Sequence, residues 1–315
     1  MKILQSLLSQ AGLLLIAAFI CACEGEQRQT NNDSGANTKP ERTLVVTSKY
    51  PLYFFASRIV EDVENAPEIV FPEIDGDPAL WIPNADQVQL LQSADIVLLN
   101  GAGAEPWQNL ISIDKSRLFD TSKMFSEKLI PLEGDIAHQH GPEGEHSDRG
   151  TAFTTWLDPQ LAIEQSEAIT NALIDLSPAS EKQFRNNMAK LEVELLGLDS
   201  EVAAVFERLD GRPVLFSHPV YQYLQRRYGI AGRSVHWEPD EEPTTTAWIE
   251  LQQLLVEHPA TIMVWENVPL TSTAQRLSAS GIESVRFLTV ANRPDEGDYI
   301  SVMLENVRQF EREAQ

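Results

Sequence analysis

Three side chains able to coordinate a metal ion close or follow apolar runs in the second half of the chain. His218 ends "RPVLFSH", His236 lies in "GRSVHW" and Glu266 ends "ATIMVWE". Two imidazoles and one carboxylate are the donor set of a zinc site that keeps one position open. If these runs are neighbouring strands, ~4.8 Å apart, their ends can converge. The other role open to His236 and Glu266 is hydrogen bonding beside the site or between lobes. Acidic residues follow at once in "HWEPDEEP", with Glu238, Asp240, Glu241 and Glu242. A second histidine group is "AHQHGPEGEHSD", residues 137–148, which holds His138, His140 and His146, half of the six histidines in the chain.

Two further stretches read as ligand-presenting loops. "GDPALWIPN", residues 76–84, is built of turn formers around Trp81. A surface turn with a large aromatic usually presents something to a ligand. Yet Ala79 and Leu80, between Pro78 and Trp81, can neither donate, accept nor coordinate. Trp81, Trp107, Trp156 and Trp237 all fall in segments expected on one side of the fold. Trp81, Trp156 and Trp237 are therefore candidates to line a cleft that takes an organic molecule or a metal chelate. Their alternative is packing between lobes.

The elements that must position these residues alternate strand and helix, the pattern of parallel sheets covered by helices. In the first half, "TLVVTS" (43–48), "EIVF" (68–71), "DIVLLNG" (95–101) and the weaker "SRLFDTS" (116–122) are strands. Helices are expected from Tyr50 to Asp62, over 85–94 and over 158–176, the last with Asp158 as cap and Pro159 as first helical residue. Residues 177–210 carry Phe184, Met188, Leu191, Leu195, Leu198, Val202, Phe206 and Leu209 at steps of three and four. The spacing predicts one long helix, a rigid spine between two lobes. Strands over 212–218, 232–237, 260–266 and 283–290 then repeat the alternation, with helices near 219–229, 245–258, 269–280 and 298–313.

The expected fold is thus α/β, two parallel-sheet lobes (43–176 and 211–315) joined by the helix over 177–210. Ligands of open parallel sheets bind beyond the carboxyl ends of the strands. That places the loops after Ser48, Phe71 and Asn100, and those holding Ser217-His218, His236-Trp237 and Glu266-Asn267, along one cleft.

Composition narrows the function. Asp and Glu outnumber Lys and Arg 47 to 24, a formal charge of −23. This argues against nucleic acid, whose binding needs a basic face, and is compatible with handling cations, although most acidic surfaces merely keep a protein soluble. Lys2 and the apolar run over 7–20 read as a secretory signal, residues 1–22, too short to span a membrane. The run ends in "ICAC", which resembles a bacterial lipobox, so Cys23 is expected to carry lipid and become the mature N-terminus. Both cysteines of the chain, Cys21 and Cys23, lie here, so no disulfide braces the lobes. Residues 23–42 lack apolar periodicity and read as a flexible tether.

Four quoted stretches, "VVTSKYPLYFFASRIV", "GDPALWIPNADQVQLLQSADIVLLNGAGAEPW", "TTWLDPQLAIEQSEAI" and "VLFSHPVYQYLQRRYGI", occur in this order in one family. The chain resembles the metal-binding solute receptors of ABC importers, the ZnuA/TroA type for zinc and manganese, from about Leu44 to Val307. The resemblance implies two α/β lobes on a rigid helix, a lipid-anchored or periplasmic location, and delivery of a cation to permease subunits. It also implies a metal site of three His and one carboxylate. At the positions it implies, this chain has Ala79, Thr154, His218 and, after the last strand, no acid between Glu283 and Asp295. One imidazole retains little of the ~10–16 kcal/mol that a full zinc ligand set contributes. His218, His236 and Glu266 are the candidates for a rebuilt site. The histidines of 137–148 match the His-rich loop of zinc-selective members, which implies weak, transient cation capture.

No enzymatic signature competes. "NGAGAEPW" has Pro106 where a dinucleotide fingerprint needs Gly, and the adjacent Ser217 and His218 make no nucleophile–base couple by adjacency alone. The expectation is an exported, lipid-anchored, monomeric receptor without a resident cofactor, whose cargo is zinc or a related divalent cation. The alternatives are a receptor for a non-metal or chelated solute, and an accessory protein that binds no solute.

Overall fold

The computed structural model describes residues 42–132 and 150–313, together with two short strands inside the intervening segment. The expected signal over 1–22, Cys23 and nearly all of the tether lie outside the described residues, as does His140.

The chain opens with β1 (Leu44–Thr47), a run with three fully buried residues, as a strand covered on both faces requires. α1 (Tyr50–Val60) follows, with Pro51 in its first turn, where no amide partner is needed. β2 (Glu68–Val70) leads into the opening turn, and α2 (Ala85–Ser93) starts from a capping box between Asn84 and Gln87. β3 (Ile96–Leu99) and β4 (Leu118–Asp120) complete a four-stranded parallel sheet in the order β2-β1-β3-β4.

β5 (Ala137–Gln139) and β6 (Glu145–Ser147) form an antiparallel pair where the sequence suggested only a loop. Polar triplets around "HGPEG" have no apolar face, so periodicity could not reveal them. α3 (Pro159–Leu176) is capped by Asp158, whose side chain accepts from the Gln160 amide, as expected.

The spine, α4 (Glu181–Glu207), has 27 residues and is about 40 Å long. It is shorter than the expected 177–210. Pro178–Ser180 forms a separate 3-10 turn, and the C-terminal end closes in turns where Asp210 and Gly211 take positive φ. Leu209 is buried beyond the helix, so its place in the apolar spacing did not require helical hydrogen bonding.

The second sheet repeats the first. β7 (Val214–Phe216), α5 (Gln222–Tyr228), β8 (Gly232–Ser234), α6 (Thr245–Glu257), β9 (Ile262–Trp265), α7 (Thr271–Ala279) and β10 (Glu283–Arg286) give the parallel order β8-β7-β9-β10. α8 (Tyr299–Glu313) closes the described chain.

The described residues from Arg42 onward group as one compact unit. A single buried cluster runs from Val45 and Val97 in the first sheet, through Leu191, Leu195 and Val202 on α4, to Phe216 and Val264 in the second. A smaller one lies between the second sheet and α6, around Trp237, Trp248 and Trp265. α4 packs on α1 and α3 of the first half and on α5 and α8 of the second.

Candidate functional site

The carboxyl ends of the two sheets meet along a seam. The Tyr50 amide, just after β1, donates to the Ala291 carbonyl, and Asn292 Nδ2 donates to the Ile74 carbonyl at 2.7 Å. In each sheet the strand order reverses beside the first strand, so the loops after β1, β3, β7 and β9 sit where such folds bind ligands.

On the second-lobe side, β7 delivers Ser217 and His218, and Ser217 is fully buried. The segment after β8 continues the pairing: Val235 N donates to Phe216 O and Trp237 N to Ser217 O. Trp237 turns inward onto Trp248 and Trp265, so its extended neighbours His236 and Glu238 flank the end of β7. His218 Nδ1 lies 3.4 Å from Glu238 Oε1 and 3.7 Å from Glu266 Oε1. The His218 and His236 rings are 5.9 Å apart, edge to face, and His236 is exposed. Burial pushes the Glu266 carboxyl up to about 8, and the charges of Asp77 and Glu238 add to the rise.

The structure thus gathers the sequence-predicted His218, His236 and Glu266 into one neighbourhood. It adds Glu238 as the nearer carboxylate, which periodicity could not rank because it lies outside any strand. Among the described residues, however, no three His, Cys, Asp or Glu side chains stand as a formed metal-holding group.

Among the residues whose side chains are described, the first-lobe side carries no imidazole. In the opening turn, Asp77 Oδ1 accepts from the Ala79 amide, and Trp81 is buried against Trp107 at 5.5 Å with its Nε1 donating to Gln87. The indole anchors the turn from inside, which is why a bulky aromatic stands among turn formers. Thr154 Oγ1 donates to the Val220 carbonyl across the seam. Thr154 therefore ties the lobes together at the place where the resemblance implies a His. After the last strand, where no acid stands between Glu283 and Asp295, Val290 is held at φ 58, in the left-handed region that β-branched residues avoid. The carbonyl of Thr289 accepts from Trp156 Nε1 at 2.7 Å.

The expectation that Trp81, Trp156 and Trp237 line a cleft is corrected. All three are buried, in the first core, between the lobes and in the second core respectively. Trp156 serves as the alternative reading has it, by interlobe packing, with Tyr299 Oη also donating to its carbonyl.

Sequence reasoning missed two buried charges. Lys49 follows Ser48 directly after β1, and its Nζ donates to the Pro78 carbonyl at 2.5 Å. Glu105, in the loop after β3, accepts from Ser48 Oγ at 2.6 Å and from the Asn100 and Gly101 amides. The signal was a Lys inside the otherwise apolar "SKYPLYFF". Of the histidine segment, His138 and His146 are register partners across the β5–β6 pair.

The comparisons agree with this architecture. The family profile described as the periplasmic zinc-uptake complex component A, ZnuA, matches residues 45–313. The high-affinity zinc uptake system protein ZnuA of Bacillus subtilis is 26% identical, over 94% of this chain and 95% of its own. The zinc-binding lipoprotein AdcA of Streptococcus pneumoniae is 25% identical over 93% of this chain, which spans only 58% of AdcA. Among solved structures, the metal-dependent lipoprotein YcdH of Bacillus subtilis superposes with a TM-score of 0.71 at 20% identity, covering 86% of this chain and 98% of its own. No described helix is long and apolar enough to cross a membrane. With its profile matched over nearly the whole described chain, the two-sheet fold in place and His218 at the seam, the chain belongs to the ZnuA family of periplasmic zinc-uptake components.

Proposed function

We propose that this protein is the extracytoplasmic receptor of an ABC importer, tethered to the membrane by lipid on Cys23, and that it carries zinc or a related divalent cation to permease subunits as a monomer. The observation that carries the reading is the placement of His218 between Glu238 and Glu266, with His236 beside it, at the switch point of the second sheet. Imidazole nitrogen with carboxylate oxygen is a donor mixture that zinc accepts. The side chains are close enough that small rotations bring them onto one ion.

The family's first-lobe ligands are absent, so the cargo is held mainly by the second lobe. The site is then weaker than a full four-ligand zinc centre. The histidine segment over 137–148, with His138, His140 and His146, supplies weak capture of ions near the protein. The reading is one of binding without catalysis.

The test is zinc titration calorimetry on protein purified without an affinity tag, with the metal content measured first. Wild type binds about one zinc per chain at the seam. His218→Ala with His236→Ala abolishes that binding while leaving the fold intact by circular dichroism. Unaltered affinity in the double variant refutes the assignment.

A further inference from the structure

After β10 the chain crosses from the second lobe onto the first. Phe287 is still held by the second lobe: its amide donates to the Trp265 carbonyl at 2.8 Å, and its carbonyl accepts from Tyr221 Oη at 2.6 Å. The Leu288 amide donates to Asn306 Oδ1 of α8 at 3.0 Å, and its carbonyl accepts from Asn306 Nδ2 at 2.8 Å. From Thr289 onward the partners lie on the other side. The Thr289 carbonyl accepts from Trp156 Nε1, and the Ala291 carbonyl accepts from the Tyr50 amide at 3.3 Å. Asn292 Nδ2 donates to the Ile74 carbonyl. The Arg293 guanidinium lies 4.6 Å from the centre of the Tyr53 ring and 5.6 Å from that of Tyr50.

Val290 stands in this changeover at φ 58, a conformation that persists in a β-branched residue only where the flanking chain is fixed. Its flanks are fixed on different lobes. The second-lobe end of the segment is also tied to the proposed site, since Trp265 precedes Glu266 and Tyr221 lies in the stretch that follows His218. The donors proposed for the ion, His218, His236, Glu238 and Glu266, all belong to the second lobe. An ion held from one side cannot draw two lobes together, so closure of the seam depends on contacts within the protein.

We infer that residues 289–293 are an interlobe latch, jointed at Val290, which keeps the seam closed with or without an ion and sets the rate at which the ion leaves. This rests on the receptor reading and names how its site is regulated. The Tyr50 amide gives the latch a reporter of its own. As the first residue of α1 it has no partner within the helix, so its protection from exchange depends on the Ala291 carbonyl.

The experiment reads hydrogen exchange at the Tyr50 amide by NMR, in metal-free and zinc-loaded protein, and the rate of zinc release to a chelator in stopped flow. It compares wild type, Arg293→Ala, the double variant Asn292→Ala with Arg293→Ala, and Arg276→Ala. The last removes a cation–π contact outside the latch, 4.0 Å from the centre of the Trp248 ring. In wild type, zinc changes Tyr50 exchange by no more than about threefold, because the ion does not distinguish a latched seam from an open one. Arg293→Ala speeds both Tyr50 exchange and zinc release by about threefold, and the double variant by about tenfold. Arg276→Ala moves neither.

The inference is overturned if zinc changes wild-type Tyr50 exchange by more than about threefold, since the ion then closes the seam. It is overturned as well if Arg276→Ala speeds release as much as Arg293→Ala does, the mark of general loosening. Should the double variant fail to fold, Arg293→Ala decides by itself, because that side chain is exposed. Wild type that takes no zinc overturns the receptor reading and this inference with it. Zinc binding that depends on His218, with release unmoved in the latch variants, overturns this inference alone.

Discussion

Replacing Asp199 by Ala should loosen the spine from both halves of the protein at once. Asp199 sits on α4 with its side chain 11% exposed. It accepts from Arg227 Nε at 3.0 Å and Nη2 at 2.5 Å, from Tyr228 Oη at 2.9 Å and from Gln160 Nε2 at 2.9 Å. Gln160 belongs to α3, and Arg227 and Tyr228 to α5. Burial alone would raise the Asp199 pKa, but these hydrogen bonds outweigh it and hold the group below its usual value.

Removing one partner of a buried ion pair costs about 3–5 kcal/mol. Here Arg227 keeps 35% exposure and has Asp158 Oδ1 at 3.8 Å as a substitute. The expected loss is thus at the lower end, on the order of 3 kcal/mol. At about 2–4 °C per kcal/mol for a chain of this size, Tm falls by roughly 6–12 °C. The assay is thermal denaturation followed by circular dichroism at pH 7, with Asp199→Ala, Arg227→Ala and the double variant in a cycle. A coupling of about 1–3 kcal/mol is expected. Because the folded pKa is depressed, the stabilisation is present above the ordinary carboxylate pKa and is lost as pH falls through the folded value. A loss within ~0.5 kcal/mol for Asp199→Ala would refute the claim that this network braces the spine.

Other outcomes follow from the same geometry. In metal-free protein, Glu266 with its pKa pushed up to about 8 binds its proton more tightly folded than unfolded, so stability falls as pH rises from ordinary carboxylate values to that point. Glu266→Gln removes this slope. At about 1.4 kcal/mol per pH unit the full rise caps the gain near ~5 kcal/mol, and water around a side chain 29% exposed reduces it to on the order of 2 kcal/mol at pH 9. Denaturant midpoints at pH 5 and pH 9 check it, and a parallel fall in both proteins counts against it. Gly101→Ala is expected to lose roughly 2–3 kcal/mol, since Gly101 has φ 77 and an added Cβ would lie 1.9 Å from Asp120 Oδ1, itself held by Ser122. Deleting residues 137–148 lowers the number of weak zinc sites in calorimetry without altering the seam site, and an unchanged stoichiometry would remove the capture role.

Much of this was legible because repeating patterns carry long elements. The steps of three and four from Phe184 to Phe206 mark the buried face of α4, and every residue named in that stretch is buried. The β-branched and apolar runs ending at Ser48, Asn100, His218 and Glu266 locate the seam, since a parallel strand covered on both faces has no polar alternation to confuse it. Side-chain direction was not legible. Trp81 and Trp237 stand in polar loops, yet each points into a core, because one residue in an irregular segment has no period to reveal its face. Lys49 was missed for the opposite reason: a charge within apolar sequence normally snorkels to water, and here the Pro78 carbonyl replaces the water.

The strand order β2-β1-β3-β4 reappears as β8-β7-β9-β10, so the same wiring is used twice in one polypeptide. Chemistry at the junction therefore depends on a few loop-borne side chains, while the framework that presents them depends on residues elsewhere. Such a separation lets a lineage rewrite what it recognises without relearning how to fold. Ala79 and Thr154 illustrate it: each supports the architecture where the resemblance implies a donor to metal, and the scaffold remains whole around them.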